Sequence, residues 1–270
     1  ITTQTTTSEE KEESKTNDNP TEDKKPEQGK EQQPEKVEPG NWLPLESNPE
    51  SFNDFARRMG LPELYAFNEV FGFDEETLAF TPQPILGAVF LFPSSKNIKA
   101  FKAKQRVDIE ANGQILDDSL FYLHQHDNIG NACGTIAMIH CLSNAVTLSE
   151  GPLAEFIKSS KDMSWGDRGW ALLKAKQIQA VSDATASSES NQTQTPERTA
   201  RTNGHFIAFV HKNGLLFELD GRKAFPINHG ETCQETLLVD IVRIIKEKFM
   251  ALEPNNVNFN LMTLSEADFP

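Results

Sequence analysis

One dipeptide, Asn213-Gly214, restricts what this chain can fold into more than any other feature. It stands between two apolar runs, 205–210 and 215–220, and Asn-Gly in such a setting is the strongest short-range signal for a β-hairpin. If these two residues form the turn, His205 lies diagonal to Asp220 on one face of the sheet, about 7 to 8 Å away. A register shifted by one residue makes them direct partners. Both registers place an imidazole beside a carboxylate.

Cys133 stands where a loop changes into a wholly apolar helix, which begins after Gly130-Asn131-Ala132. A thiol at a helix N-terminus shifts towards thiolate, because unsatisfied backbone N–H groups and a nearby imidazolium favour the anion. A thiol protease needs such a thiolate, a histidine that pairs with it and a polar group that orients the histidine. Cys133, His205 and Asp220 fit these requirements. Taken singly, each has a structural alternative: a helical cysteine is usually a buried apolar side chain, and a strand-end His or Asp is usually solvated.

The first 40 residues differ in composition from the rest. Thr, Glu, Lys, Gln and Pro dominate there, so the stretch cannot bury enough apolar surface to offset the entropy of ordering. We predict a disordered tail over residues 1–40 and one folded domain over residues 41–270. Eleven acidic residues and six lysines give the tail a net charge of −5, which leaves −9 of the total of −14 for the domain.

This acidity argues against nucleic acid and anionic membranes as partners, because both would repel it, whereas a basic protein would be attracted. Acidity that serves only solubility explains the charge equally well. Three scattered cysteines fit neither a disulfide framework nor a paired Cys-x-x-Cys zinc site, and His124 with His126 lacks a further metal ligand nearby. Without a membrane-length apolar run or a secretory-signal pattern, we expect a cytoplasmic protein.

Hydrophobic periodicity predicts an α/β or α+β domain. The short amphipathic helix that follows Asn48-Pro49 and stops at Gly60 is the best defined element, because it has a cap, an early proline and a glycine stop. The other expected elements are helices over 64–71, 153–157, 165–181 and 234–250, strands over 85–92 and 257–261, a polar surface excursion over 96–118, an apolar run over 120–123 and a long polar loop over 182–203. Cys141, Trp42 and Trp170 are expected in the core.

Several sequence blocks together match a known family pattern. They are Trp42 to Glu50 (WLPLESNPE), Asn131 to Ile136 (NACGTI), His205 to Val210 (HFIAFV), Glu218 to Lys223 (ELDGRK) and Phe225 to Thr232 (FPINHGET). In this order, and with the step from His205 to Asp220, they closely resemble the ubiquitin carboxyl-terminal hydrolases of the short, single-domain type. The resemblance covers roughly residues 40–267.

The resemblance implies a papain-like α/β fold, with a central antiparallel sheet flanked by helices and a knotted backbone. It implies Cys133 as nucleophile, His205 as base and acid, Asp220 as the orienting group, and no cofactor. The loop over 182–203 falls where the family has a crossover loop that passes over the active site. The residues that fall where the family touches ubiquitin are Pro44, Leu45 and Glu46.

One position departs from the family pattern. The family has a glutamine six residues before the nucleophile, whose amide helps to hold the oxyanion, but Asp127 stands there in this chain. A carboxylate has no proton to donate and would repel an oxyanion. We interpret His126-Asp127 as a two-residue insertion and expect Gln125 to be the donor. If the insertion displaces Gln125, the remaining donors are Asn128 and the backbone N–H of Cys133.

We therefore expect a monomeric thiol hydrolase that cleaves after the C-terminal glycine of ubiquitin and releases small or flexible adducts. The residues alone argue only for acyl transfer by a thiol, and the resemblance supplies the substrate. Two alternatives stay open at this point. One is a ubiquitin-binding protein whose catalysis is crippled by the insertion, and the other is a hydrolase for another ubiquitin-like modifier.

Overall fold

A computed structural model of the chain describes residues 41–189, 191, 193, 194, 197, 198 and 202–267. The predicted tail over residues 1–40 lies outside the described residues. Within them, the chain alternates between helices and strands, as an α/β domain requires.

The centre of the fold is a six-stranded antiparallel sheet formed by the described residues, with strand order β1-β6-β2-β3-β4-β5. This confirms the expected central antiparallel sheet. The strands are β1 (Tyr65–Glu69), β2 (Ile85–Pro93), β3 (Gly204–Lys212), β4 (Leu215–Leu219), β5 (Ile227–Glu231) and β6 (Asn260–Glu266).

Helices cover both faces of this sheet. They are α1 (Pro49–Met59), α2 (Glu75–Leu78), α3 (Lys96–Asn112), α4 (Cys133–Ala145), α5 (Pro152–Ser160), α6 (Trp165–Lys174), α7 (Lys176–Ala186) and α8 (Leu237–Lys248), with short 3₁₀ helices at Asp127–Ile129 and Met250–Leu252. The apolar side of α8 packs on Phe90, Ile207 and Phe209. On the other face α4 approaches so closely that a Cβ at Gly87 of β2 would lie 3.0 Å from Sγ of Cys141.

The predicted hairpin has the predicted register. Lys212 pairs with Leu215 and Ala208 pairs with Leu219. Both turn residues have positive φ, 48° at Asn213 and 82° at Gly214, which is the conformation that a type I′ turn needs and that Asn-Gly adopts readily. His205 itself pairs with Phe92 of β2, which fixes the imidazole at the end of the sheet.

Other local signals are confirmed as well. Asn48 caps α1 by accepting a hydrogen bond of 2.7 Å from the backbone N–H of Ser51, and Gly60 ends the helix at a φ of 106°. The apolar run at 85–92 lies within β2, and the expected helix at 234–250 contains α8. Trp42 and Cys141 are fully buried.

Several predicted elements are wrong in type or extent. The stretch 64–71 forms strand β1 instead of a helix, because its residues pair with β6 from the far end of the chain. The closing strand begins at Asn260, and Val257 is 88% exposed. The expected helix at 165–181 is broken at Ala175 and then continues to Ala186, so the long loop begins later than predicted.

Three further differences concern surface and edge elements. The polar excursion after Lys96 is a regular 17-residue helix, α3, in which Ile98 alone is buried. Strand β5 has no counterpart in the sequence prediction. Trp170, expected in the core, is half-buried and stacks on His126 at a centroid distance of 3.8 Å.

None of the helices within the described ranges has the length and apolar composition that a membrane span requires.

The core contacts of α8 yield a stability prediction. Replacing buried Ile241 with alanine should lower the free energy of unfolding by about 2 to 5 kcal/mol, since it removes apolar contacts and leaves a cavity. Val239→Ala on the same helix is the matched control, because Val239 is 61% exposed and its loss should change stability by less than about 0.5 kcal/mol. Chemical denaturation measures both. Equal losses would contradict the assignment of α8 as a core helix.

Candidate active site

Three elements bring Cys133, His205 and Asp220 together. Cys133 is the first residue of α4, His205 is the second residue of β3, and Asp220 follows directly after β4. The hairpin turn aligns the ends of β3 and β4, while α4 packs against β3. All three side chains are buried, with 4% of Cys133 exposed.

His205 and Asp220 form a short, buried hydrogen bond. Nε2 of His205 donates to Oδ1 of Asp220 at 2.7 Å. Burial alone would lower the pKa of His205, but the charge and hydrogen bond of Asp220 outweigh burial and raise that pKa above its ordinary value. Nδ1 of His205 is buried and has no partner with full hydrogen-bond geometry among the described residues. It is therefore the ring nitrogen left to interact with Cys133.

The thiol of Cys133 is more acidic than an ordinary cysteine. Burial raises its pKa, but interaction with His205, the charge of Arg222 and the backbone N–H of Phe206 together lower it below the ordinary value. Cys141, two turns further along α4, provides a direct comparison. It is buried without such neighbours, and burial raises its pKa well above the ordinary value. The difference in pKa between the two thiols therefore comes from their neighbours and not from burial, which they share.

Asp220 has partners that the sequence did not reveal. Nζ of Lys102, on α3, lies 2.6 Å from Oδ2 of Asp220, and the backbone N–H of Arg222 donates to Oδ1 at 3.0 Å. Burial would raise the pKa of this carboxyl, but the charges of His205 and Lys102 hold it well below its usual range. Lys102 also lies over the ring of Phe92, 4.6 Å from its centroid. The carboxylate is thus held ionised between two cationic groups.

A second buried charge cluster lies next to the segment that carries Asp220. Glu218 accepts hydrogen bonds from Nζ of Lys223 at 2.5 Å and from Nε2 of His229 at 2.9 Å. Burial opposes ionisation of Glu218, yet these two partners lower its pKa to about 2. The hydroxyl of Tyr122 shares its proton between the carbonyls of Asp220 and Lys223, at 2.6 and 2.8 Å. These contacts fix the backbone that carries Asp220.

Hydrogen bonds and ring stacking hold the residues around the two-residue insertion. The backbone N–H of Gln125 donates to the carbonyl of Gly221 at 2.7 Å, which ties it beside Asp220. His126 stacks on Trp170 and donates from Nε2 to the carbonyl of Gly166 at 2.8 Å. Asp127 is exposed at the start of a 3₁₀ helix. That Gln125 takes the place of the family's glutamine stays a prediction.

Among the residues that the structure describes, the side chain of Gln125 has one N–H without a hydrogen-bond partner. Its Nε2 donates one hydrogen bond, to the carbonyl of Gly130 at 3.2 Å. An amide nitrogen carries two protons, so the second one is available to an incoming group. The same side chain lies with Asn131 and Arg222 in the wall of a cavity of about 620 Å³.

The predicted ubiquitin-contacting residues lie next to the thiol. Pro44, Leu45 and Glu46 line a cavity of about 230 Å³ together with Cys133 and Phe206, which we call the tail cavity. A Cβ at Gly134 would lie 3.1 Å from Cβ of Leu45, so this glycine allows the 44–46 segment to approach the start of α4. Cys133 is therefore buried but borders a narrow cavity.

The described part of the expected crossover loop contacts the residues that line the tail cavity. The backbone N–H and the hydroxyl of Thr193 both donate to Oε2 of Glu46, at 3.2 and 2.9 Å. Thr202 lines the tail cavity.

The two histidines considered as a metal pair point to different acceptors: Nε2 of His124 bonds the carbonyl of Ala224 at 3.1 Å, whereas His126 bonds Gly166.

Comparison with known proteins gives a consistent result. The sequence model of the family described as "Ubiquitin carboxyl-terminal hydrolase, family 1" matches residues 42–251. The chain belongs to this family. The ubiquitin carboxyl-terminal hydrolase of Drosophila melanogaster is 36% identical over 228 residues, which are 84% of this chain and 98% of the relative. Human isozyme L1 is 34% identical over 83% of this chain and 98% of its own length.

Solved structures of the family share the fold. The catalytic domain of Trichinella spiralis UCH37, solved with ubiquitin vinyl methyl ester bound, superposes with a TM-score of 0.63 at 25% identity, over 84% of this chain and 96% of that chain. This confirms the fold expected from the resemblance. The knotted backbone stays a prediction.

The environment of the hydrolase thiol predicts its titration. In a Cys233→Ser background, alkylation of Cys133 by iodoacetamide should show an inflection below the pKa of 9.0 of an ordinary thiol, because His205 and Arg222 stabilise the thiolate. His205→Ala should move the inflection to a higher pH, since burial raises the pKa of Cys133 and the variant lacks the imidazole that lowers it. Cys141 is the internal control and should stay unmodified in the folded protein. An unchanged inflection in His205→Ala would contradict the pairing.

Lys102 should influence the titration of His205 through charge. Its ammonium group lowers the pKa of His205, so Lys102→Gln should let the imidazole keep its proton to a higher pH. Lys104→Gln is the matched control on the same helix, since Lys104 pairs with exposed Asp108. NMR titration of the ring protons of His205 measures the shift. Equal pKa values in the two variants would contradict this role of Lys102.

Proposed function

We propose that this chain hydrolyses the bond after the C-terminal glycine of ubiquitin, with Cys133 as the nucleophile. The observation that carries the proposal is the buried hydrogen bond between His205 and Asp220 beside a thiol of lowered pKa. A thiolate paired with an imidazolium is the reactive form of a thiol protease. Membership of the hydrolase family supplies the substrate.

In the first step, the sulfur of Cys133 attacks the carbonyl carbon of the terminal glycine. One C–S bond forms, and the carbonyl π electrons move to the oxygen, which becomes the oxyanion. The intermediate collapses as the C–N bond breaks, and His205 gives its proton to the departing amine nitrogen. Asp220 stays ionised throughout, because Lys102 and the Arg222 N–H stabilise its carboxylate.

In the second step, water hydrolyses the thioester. Neutral His205 takes a proton from the water, the hydroxyl attacks the same carbonyl carbon, and the C–S bond breaks to return the thiolate. The products are the carboxylic acid of ubiquitin, which ionises by releasing one proton to solvent, and the resting thiolate–imidazolium pair. Besides water, these steps use only side chains and backbone groups of the chain.

We assign the role of hydrogen-bond donor to the oxyanion to Gln125. The free N–H of its amide is the available proton, and the bonds to Gly130 and Gly221 hold the side chain and backbone in place. Because the insertion is taken up by His126 and by the exposed Asp127, it does not favour the alternative of a ubiquitin-binding protein without catalysis.

The tail cavity supports ubiquitin as the substrate and small adducts as leaving groups. At about 230 Å³ it accepts an extended chain without bulky side chains next to the scissile bond, as a Gly-Gly terminus presents. Glu46, which bonds Thr193, adds a negative charge at this edge. UCH37 of Trichinella spiralis was solved with a ubiquitin ester bound, which supports the same partner here. Activity on other modifiers, a monomeric state and a cytoplasmic location stay predictions.

The oxyanion assignment can be tested with a fluorogenic ubiquitin C-terminal amide. Gln125→Ala should lower kcat by about 100- to 1,000-fold, the usual cost of removing one oxyanion donor. Asn128→Ala is the matched control, because Asn128 is exposed on the 3₁₀ helix and holds the alternative donor role. It should leave kcat nearly unchanged. A large loss in Asn128→Ala with little loss in Gln125→Ala would overturn the assignment.

A further inference from the structure

A second cavity borders the tail cavity. Its volume is about 620 Å³, and its wall includes Gln125, which we assign to the oxyanion. The two cavities share Asn131 and Thr202. The two cavities are therefore neighbours, so a chain that passes Cys133 can reach the second cavity, which we call the basic cavity.

The charges in the basic cavity oppose the charge of the whole chain. Its lining carries three cations, Lys99, Arg198 and Arg222, against a single described carboxylate, Asp127. The chain as a whole has a net charge of −14. A concave site with one sign of charge concentrates the field and attracts groups of opposite sign.

Two of the three cations are not neutralised. Arg198 is paired with Asp183 at 2.9 Å. Lys99 and Arg222 are exposed, and neither side chain forms an ion pair with any of the residues that the structure describes. Arg222 is close enough to the nucleophile for its charge to lower the pKa of Cys133. Uncompensated positive charge therefore lies close to Cys133, where the scissile bond would be placed.

We propose that the basic cavity is a leaving-group subsite that favours acidic residues directly after the scissile bond. This rests on the proposed hydrolysis of ubiquitin conjugates. The subsite discriminates because a carboxylate in the leaving peptide gains the attraction of Lys99 and Arg222, whereas a lysine is repelled by them. Asp127 reduces this preference without reversing it, since one anion faces two uncompensated cations.

The test compares two ubiquitin fusions in the same enzyme. Each carries a short peptide after the terminal glycine, with two aspartates in one and two lysines in the other at the first and second positions. The intact chain should cleave the acidic fusion with a kcat/KM about three- to ten-fold higher, the range that two exposed charge pairs give. The preference should shrink at high salt, because screening weakens exposed charge pairs.

Charge reversal provides the decisive variants. The double variant Lys99→Glu, Arg222→Glu should invert the preference, and Lys158→Glu, on α5 outside both cavities, should retain it. The ratio of the two fusions cancels any effect of Arg222 on the thiolate. A ratio near one in the unaltered chain, or the same fold-change for both fusions in the double variant, would overturn the subsite. If neither fusion nor the fluorogenic amide is cleaved, the proposed function itself fails.

Discussion

The buried hydrogen bond between His205 and Asp220 is the contact on which the rest of the site depends. The two residues are 15 positions apart in the chain and 2.7 Å apart in space, because the Asn213-Gly214 turn fixes the register of their strands. Water is excluded from the pair, so the ionised carboxylate acts strongly on the imidazole. The raised pKa of His205 then favours the thiolate of Cys133.

Ionisation of Asp220 in a buried position needs support of its own. Lys102 supplies one cation at 2.6 Å, and a backbone N–H completes the shell, so the carboxylate has no lone unpaired oxygen. Nearby, Glu218 is stabilised in the same manner by Lys223 and His229. Removing one partner from such a buried pair is costly, because it leaves the other charge uncompensated. The ionised state of Asp220 therefore depends on a network of buried charges and not on the pair with His205 alone.

The parts of the fold that depend on local chemistry could be predicted from the sequence. The hairpin needed only its turn residues, and α1 needed only its cap, spacing and stop. Strand β1 could not be predicted, because its apolar residues are spaced as in a helix and its partner β6 lies at the other end of the chain. Lys102 gave no signal either, since it stands 118 residues from Asp220 on an exposed, polar helix.

The most direct test of this account is the site of covalent reaction with ubiquitin. The protein is incubated with ubiquitin vinyl methyl ester, the ester present in the UCH37 structure, and the adduct is digested and located by mass spectrometry. The account predicts one ubiquitin per chain, attached to Cys133. Attachment to exposed Cys233, or no adduct in a chain that binds ubiquitin, would contradict it.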